Sequence, residues 1–156
     1  MEEKIISFFR FEDLRVYEKA VEYGKWVMQH LKEPSTNSER MLVESFVRSV
    51  LDIPLNIAEG GSRSRSQFES HLKISKTAVR ECLTFTTLSY RMGLLNDEEN
   101  EYSRGILMEL TRMLGALIIS LQRAERRDPV SRSSSEEMGN IVDDDFDTDF
   151  MEKDIQ

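Results

Sequence analysis

Apolar side chains recur at helical spacing in four long segments of this chain of 156 residues. Within each segment they lie three or four positions apart, the pattern of a helix that buries one face. The segments run over about 14–32, 37–59, 66–91 and 97–126. Long amphipathic helices joined by short loops are typical of a bundle, so we predict an all-α, up-down-up-down antiparallel four-helix bundle.

The same spacing predicts which residues face the core. In the first helix they are Leu14, Tyr17, Val21, Gly24, Met28 and Leu31, with Ala20 and Val27 beside them. In the second they are Leu42, Phe46, Ser49, Val50, Ile53 and Ile57. In the third they are Phe68, Leu72, Val79, Cys82 and Thr86, with Ile74, Ala78, Phe85 and Leu88 beside them. In the fourth they are Tyr102, Ile106, Leu110, Met113, Leu117 and Leu121, with Leu107, Leu114 and Ile118 beside them. A glycine costs about 1 kcal/mol inside a helix, so Gly24 indicates close approach of a neighbouring helix.

Capping residues mark the predicted helix starts. Asp13 is predicted to be the N-cap of the first helix, where a carboxylate accepts bonds from the first backbone N–H groups. Thr36 and Glu39 have the spacing of a capping box ahead of the second helix. Asn96, with Glu99 three residues later, is predicted to cap the fourth.

The second helix ends in the segment SVLDIPLNIAEGG (49–61), which contains a proline. Proline in a helix interior removes a hydrogen bond at a cost of roughly 3 kcal/mol, so Pro54 predicts a bend. Asn56 and Glu59 have two possible roles. They could contact a ligand or RNA at the bend. Alternatively, Asn56 could pair with backbone groups that Pro54 exposes, and Glu59 with the next loop or a neighbouring subunit. We favour the structural role, because buried polar groups need partners. Gly60 is predicted to end the helix in the left-handed conformation.

The formal net charge of −8 is concentrated near the C-terminus. Residues 1–127 contain 19 Lys and Arg against 19 Asp and Glu, whereas 128–156 contain two basic and ten acidic residues. Such asymmetry separates a folded body from an appendage. We therefore predict a short lead at 1–12, the bundle at 13–127 and a disordered acidic tail at 128–156.

Three interpretations of the tail are open. Its alternating aspartates could bind calcium, but Thr148 occupies the position where a calcium-binding loop requires glycine. Phe146 and Phe150 could dock in the groove of a protein partner while the carboxylates steer the encounter. The tail could also be a disordered segment that only aids solubility.

The residue content argues against enzymatic chemistry. His30 and His71 have no metal-ligand partner three or four residues away, and Cys82 is a lone cysteine on an inward face. The chain contains no Walker loop and no G-x-G-x-x-G motif. We predict no catalytic residues, no metal and no cofactor. The chain has no apolar run of 18 residues and no signal peptide, so we expect no membrane partner. One cysteine cannot form an internal disulfide, which fits a cytoplasmic protein.

A cluster of cations is the best functional candidate in the body. Between Gly60 and Asn96 there are six basic residues against two acidic ones. The predicted nucleic-acid-binding residues are Arg63, Arg65, Lys73, Lys76 and Arg80. The alternative is a solvated helix face, stabilised by pairs such as Glu69 with Lys73. The neutral charge of the body as a whole favours this alternative.

Four segments resemble the 23S ribosomal RNA intervening-sequence proteins, a bacterial family of small four-helix bundles. They are FEDLRVYEKA (11–20), SVLDIPLNIAEGGSRS (49–64), FESHLKISKTAVRECLT (68–84) and LGALIISLQ (114–122). The resemblance implies a homo-oligomeric ring, a pentamer in some members, with no established enzymatic activity. A similar fold occurs in the accessory protein of diversity-generating retroelements, a basic ring that binds nucleic acid. The acidic tail lies outside the resemblance.

From these features we expect a non-enzymatic homo-oligomeric scaffold that binds RNA or DNA through the basic residues. The alternative is a protein–protein interaction module that uses the ring surface or the acidic tail and binds no nucleic acid.

Overall fold

Four α-helices and one 3₁₀ turn form residues 9–127, the part of the chain that the computed structural model describes. The turn spans Arg10–Asp13, and the helices are α1 (Arg15–His30), α2 (Asn37–Gly61), α3 (Arg65–Arg91) and α4 (Asp97–Arg127). The all-α prediction is confirmed, since no strand occurs within these residues. Most of the predicted lead and the whole acidic tail lie outside the described residues.

Local hydrogen bonds explain where the helices begin. Thr36 Oγ1 accepts from the N–H of Glu39 at 3.2 Å, and the Glu39 carboxylate accepts from the N–H of Thr36 at 3.3 Å, which confirms the predicted capping box. Asn96 and Glu99 make the same reciprocal pair, with bonds of 2.8 and 3.0 Å. Ser64 forms a further capping box, so α3 begins at Arg65, one residue earlier than predicted.

Two predictions about helix ends are wrong. Asp13 belongs to the 3₁₀ turn and does not cap α1, whose N-cap is Leu14 without any side-chain hydrogen bond. Gly60 does not terminate α2 in a left-handed conformation, because the helix continues through it to Gly61. The one described glycine with a positive φ is Gly93, at +77°, which follows the end of α3.

Gly60 is required instead because α3 passes very close to it. A Cβ atom at this position would lie 2.7 Å from His71 Cβ and 2.7 Å from Phe68 Cδ2. Gly24 has a similar role, as predicted, since a Cβ there would lie 3.3 Å from Val50 Cγ1. These glycines therefore set how closely α2 approaches α3 and α1.

The predicted core faces of α2, α3 and α4 are largely confirmed, although Ile74 and Leu88 of α3 are exposed, whereas the predicted face of α1 is partly wrong. In α1 the buried side chains are Val16, Ala20, Tyr23 and Val27, while Val21 and Met28 are exposed. In α4 the predicted Leu107, Leu110, Leu114 and Ile118 are buried, and the predicted Ile106, Met113, Leu117 and Leu121 are partly buried against the core. Tyr102 is the exposed member of the predicted α4 face. The apolar residues of α1 cover more than one face, so their spacing alone does not determine which face turns inward.

Inter-helix contacts give the order of the helices around the bundle. Ser49 Oγ donates to Glu81 at 2.8 Å, Ser75 Oγ to the Ile53 carbonyl at 3.0 Å, and His71 Nδ1 to Asn56 Oδ1 at 3.1 Å. These pairs run in opposite order along α2 and α3, as in antiparallel neighbours. The contacts of α4 are with α3 and with α1, whose Lys19 pairs with Glu109. The complete up-down-up-down topology stays a prediction.

A buried hydroxyl network joins three of the helices. Ser103 Oγ lies 2.7 Å from Tyr23 Oη and 2.8 Å from Thr86 Oγ1, and all three side chains are buried. Thr86 also donates to the Cys82 carbonyl at 2.8 Å. Because each hydroxyl has a partner, the network fixes α1, α3 and α4 relative to one another without burying an unpaired group there.

Alkaline pH is expected to destabilise the protein through two buried acids, Tyr23 and Cys82. Burial raises the pKa of the phenol and of the thiol above their ordinary values of about 10 and 8.5. The unfolded chain therefore loses these protons at a lower pH than the folded chain, so stability falls as the pH rises above about 8.5. Above pH 10 the two groups together should lower the free energy of unfolding by up to about 2.7 kcal/mol per pH unit, roughly twice the value for one proton.

Urea unfolding between pH 7 and pH 11 measures this slope. Tyr23→Phe removes one of these protons, so its free energy of unfolding should fall less steeply above pH 10, by about 1.4 kcal/mol per pH unit. A Tyr23→Phe variant that loses stability as steeply as the wild-type protein would contradict the assignment.

One described helix, α4, is long and apolar enough to cross a membrane by length and composition, with a mean hydropathy of 1.3 over its best 18-residue window. This is weak support for a membrane span, because the core helix of a soluble protein passes the same test. In the structure α4 turns Leu107, Leu110 and Leu114 into the core.

Candidate nucleic-acid interface

The predicted basic residues occupy two places in the structure. Arg63 and Arg65 lie at the turn between α2 and α3, and Lys73, Lys76 and Arg80 follow along α3. All are exposed except Lys76, which is half-buried. No single described contact joins the two groups.

Hydrogen bonds between α3 and α4 mark out the surface around the second group. Near one end, Gln122 Nε2 donates to Glu69 Oε1 at 2.7 Å. Near the other, Arg104 Nη1 donates to Thr87 Oγ1 at 3.3 Å. Because the two pairs run in opposite order, the residues between Glu69 and Thr87 on α3 lie level with those between Arg104 and Gln122 on α4.

Two arginines of α4 therefore lie beside the predicted residues of α3. Arg104 and Arg112 are both exposed and lie eight positions apart, about two helical turns, so they share one side of α4. Arg80 lies at the level of Arg112 in this antiparallel pairing. We call the set Lys73, Lys76, Arg80, Arg104 and Arg112 the α3/α4 basic surface.

Sequence reasoning missed Arg104 and Arg112 because α4 as a whole has no basic excess. The signal was their position away from Leu107, Leu110 and Leu114, which the spacing already places on the inward side of the helix. Helical spacing then places both arginines on the outer side.

The nearby carboxylates are turned toward other helices. Glu69 accepts from Gln122 and pairs with Lys73, whose Nζ lies 3.2 Å from Glu69 Oε1. Glu81 accepts from Ser49 of α2, and Glu109 pairs with Lys19 of α1. Glu69 therefore offsets the charge of Lys73, whereas Glu81 and Glu109 pair with α2 and α1, so the α3/α4 basic surface contains more cations than carboxylates although the body of the chain is neutral.

Arg63 has a partner of its own. Its guanidinium bonds the carboxylate of Glu59, with Nε 2.8 Å from Oε1. This hydrogen bond and the charge of Arg63 hold the pKa of Glu59 below its ordinary value. Glu59 therefore pairs with the loop that follows it, which is one of the two structural roles considered for it.

Pro54 and Asn56 lie inside α2, and the bend at Pro54 stays a prediction. Pro54 lies within α2, and two residues later Asn56 Nδ2 donates to the Asp52 carbonyl at 2.9 Å. Asn56 Oδ1 accepts from His71 of α3, directly beside the close approach at Gly60. The carbonyl that Pro54 leaves without its helical donor is that of Val50, four residues earlier. The Asn56 amide therefore joins α2 to α3 but bonds a different carbonyl from the one that the proline exposes.

The remaining titratable residues form no metal site within the described part of the chain. No group of three or more His, Cys, Asp or Glu side chains there could hold an ion. His30 donates to the Trp26 carbonyl at 2.8 Å and stacks on the Trp26 ring. Cys82 is buried and its pKa is raised, so its thiol is protonated and inert at neutral pH.

A family model described as 23S rRNA-intervening sequence protein matches residues 12–116, which is more than half of the chain. No curated protein matches the sequence. The matched residues include the segment from Pro54 to Gly60 and the basic residues of α3.

Proposed function

This chain belongs to the 23S rRNA-intervening sequence protein family, and on that premise we propose that it is a self-associating helical scaffold that binds nucleic acid. The family suggests a role without catalysis. The proposed contact is the α3/α4 basic surface, extended toward Arg63 and Arg65 at the α2–α3 turn.

One observation carries this proposal, namely that two helices contribute five cations to one surface while only one carboxylate, that of Glu69, is known to pair with any of them. Glu81 and Glu109 contact α2 and α1, on the sides of α3 and α4 away from this surface. Phosphates attract such a surface, and their neutralisation releases condensed counterions. Arginine adds a planar fork that can bind two phosphate oxygens at once.

Titration of fluorescent nucleic acid with the full chain at several salt concentrations tests the proposal. About five phosphate contacts predict that log affinity falls with log salt at a slope of about −3.5 for single strands and −4.5 for duplexes. Between 50 and 200 mM salt the affinity should then fall by roughly 100- to 500-fold. Both an RNA hairpin and a DNA duplex serve as probes. An absence of binding at 50 mM salt, or binding insensitive to salt, would favour the protein-interaction alternative.

A further inference from the structure

The outer side of α3 alternates cations with hydroxyl side chains. Four exposed residues follow one another at intervals of four, three and four, so they share one line of the helix, namely Lys73, Thr77, Arg80 and Thr84. Arg80 Nη2 also donates to Thr77 Oγ1 at 3.3 Å. This line is the α3 half of the α3/α4 basic surface, and its uncharged side chains bear on which part of a nucleic acid the surface recognises.

The hydroxyl protons on this side of α3 are already used within the helix. Thr77 Oγ1 donates to the Lys73 carbonyl at 3.2 Å. Thr84 Oγ1 and Thr87 Oγ1 likewise donate to the carbonyls four residues before them, at 3.3 and 3.1 Å. Sequence is read from base edges by side chains that match a pattern of hydrogen-bond donors and acceptors. Hydroxyls that donate to their own helix have no proton to offer a base.

The α3/α4 basic surface is also too broad to enter a groove of a double helix. The hydrogen bonds of Glu69 with Gln122 and of Thr87 with Arg104 hold α3 and α4 side by side. One helix with its side chains is about 10 Å across, so the pair presents a face about 20 Å wide. The major groove of B-form DNA is about 12 Å wide and admits a single helix, and that of A-form RNA is narrower. The face therefore meets the phosphate ridges outside the grooves.

The exposed aromatic side chains of α3 and α4 are engaged away from the cations. Tyr90 donates to Asp97 at 2.6 Å, in the acidic first turn of α4. Tyr102 packs on Trp26 of α1, with ring centroids 4.7 Å apart. Among the cations themselves the exposed apolar side chains are Leu83 and Met108, which carry no ring. Proteins that bind single strands stack the bases on aromatic rings beside cations, whereas here the rings and the cations are separate.

We propose that the α3/α4 basic surface binds the phosphate backbone of double-stranded nucleic acid without reading its base sequence. This inference rests on the proposed function and names its ligand. A duplex carries one charge for about every 1.7 Å of its axis. Arg104 and Arg112 are eight residues apart, which is about 12 Å along α4, so the cations of this rigid pair of helices meet several phosphates of one duplex.

Fluorescence anisotropy with the full chain at 100 mM salt tests the inference. The probes are two 20-base-pair DNA duplexes of unrelated sequence, their separate strands, and an RNA hairpin. Five phosphate contacts release about 0.9 counterions each from a duplex and about 0.7 from a single strand, so duplexes should bind about tenfold more tightly. The two DNA duplexes should bind within about threefold of each other, because sequence readers discriminate by roughly 1,000-fold or more.

Two double variants on the same line of α3 separate the hydroxyls from the cations. Thr77→Ala with Thr84→Ala should leave duplex affinity within about twofold of wild type, because these hydroxyls serve their own helix. Lys73→Ala with Arg80→Ala should lower it roughly tenfold, because two phosphate contacts are lost. Circular dichroism establishes that both variants keep their helix content.

The outcomes distinguish this inference from the proposed function. Single strands that bind as tightly as the duplexes, or a more than tenfold difference between the two DNA duplexes, would contradict the inference while nucleic-acid binding stands. Loss of affinity in the threonine variant would contradict it as well, since the hydroxyls would then contact the ligand. If no probe binds even at 50 mM salt, both are wrong. Tighter binding of the RNA stem or of the DNA duplexes than of single strands supports the inference, and the comparison of the two shows which duplex form is preferred.

Discussion

Gly60→Ala is expected to lower the free energy of unfolding by about 3 kcal/mol, at the upper end of typical overpacking costs. The added methyl group would lie 2.7 Å from His71 Cβ and from Phe68 Cδ2, and 3.3 Å from the Phe68 Cα. Neither His71 Cβ nor the Phe68 backbone can move without shifting the first turns of α3. Such a shift would also strain the hydrogen bond between Asn56 and His71.

Gly105→Ala is the matched control for this prediction. Gly105 lies inside α4, and no atom of a neighbouring residue lies within 4 Å of the position that its Cβ would occupy. Alanine there should stabilise the protein by about 0.5–1 kcal/mol, because it restricts the unfolded chain and favours the helix. Urea unfolding of both variants at one protein concentration, followed by circular dichroism, should therefore give shifts of opposite sign. A neutral or stabilising Gly60→Ala would contradict the close approach of α2 and α3.

Charge reversal on the α3/α4 basic surface is expected to have the largest effect on nucleic-acid binding. Arg80→Glu with Arg112→Glu should lower affinity at 50 mM salt by about 10- to 100-fold, since two phosphate contacts are replaced by repulsion. The slope of log affinity against log salt should become shallower by about 2, close to one for each lost contact. Both residues are exposed, so the fold should be unaffected.

The control must change the net charge equally at another place. Arg15→Glu with Arg40→Glu alters two exposed arginines of α1 and α2 by the same total charge. If nucleic acid responds only to overall charge, the two double variants will weaken binding equally. If binding depends on the α3/α4 basic surface, the control variant should bind nucleic acid with close to the wild-type affinity. Equal losses of affinity in the two double variants would contradict the assignment of the site.

The candidate site was only partly predictable from the sequence. Lys73, Lys76 and Arg80 lie on one side of a single helix, so their spacing was sufficient to group them. Arg104 and Arg112 are distant in sequence, and they join the group only because Glu69 meets Gln122 and Thr87 meets Arg104 across the gap between helices. The partners of the Glu81 and Glu109 carboxylates likewise lie on other helices, so the sequence does not reveal them.

The sequence by itself determined the number of helices, their approximate bounds, the capping boxes at Thr36 and Asn96, and the family. These features rest on hydrogen bonds and side-chain spacing within a few residues, which the order of amino acids specifies directly. Only the tertiary structure decided which apolar face of α1 turns inward and why Gly60 must lack a side chain. Both depend on how closely a helix far away in sequence approaches, and no local pattern contains that distance.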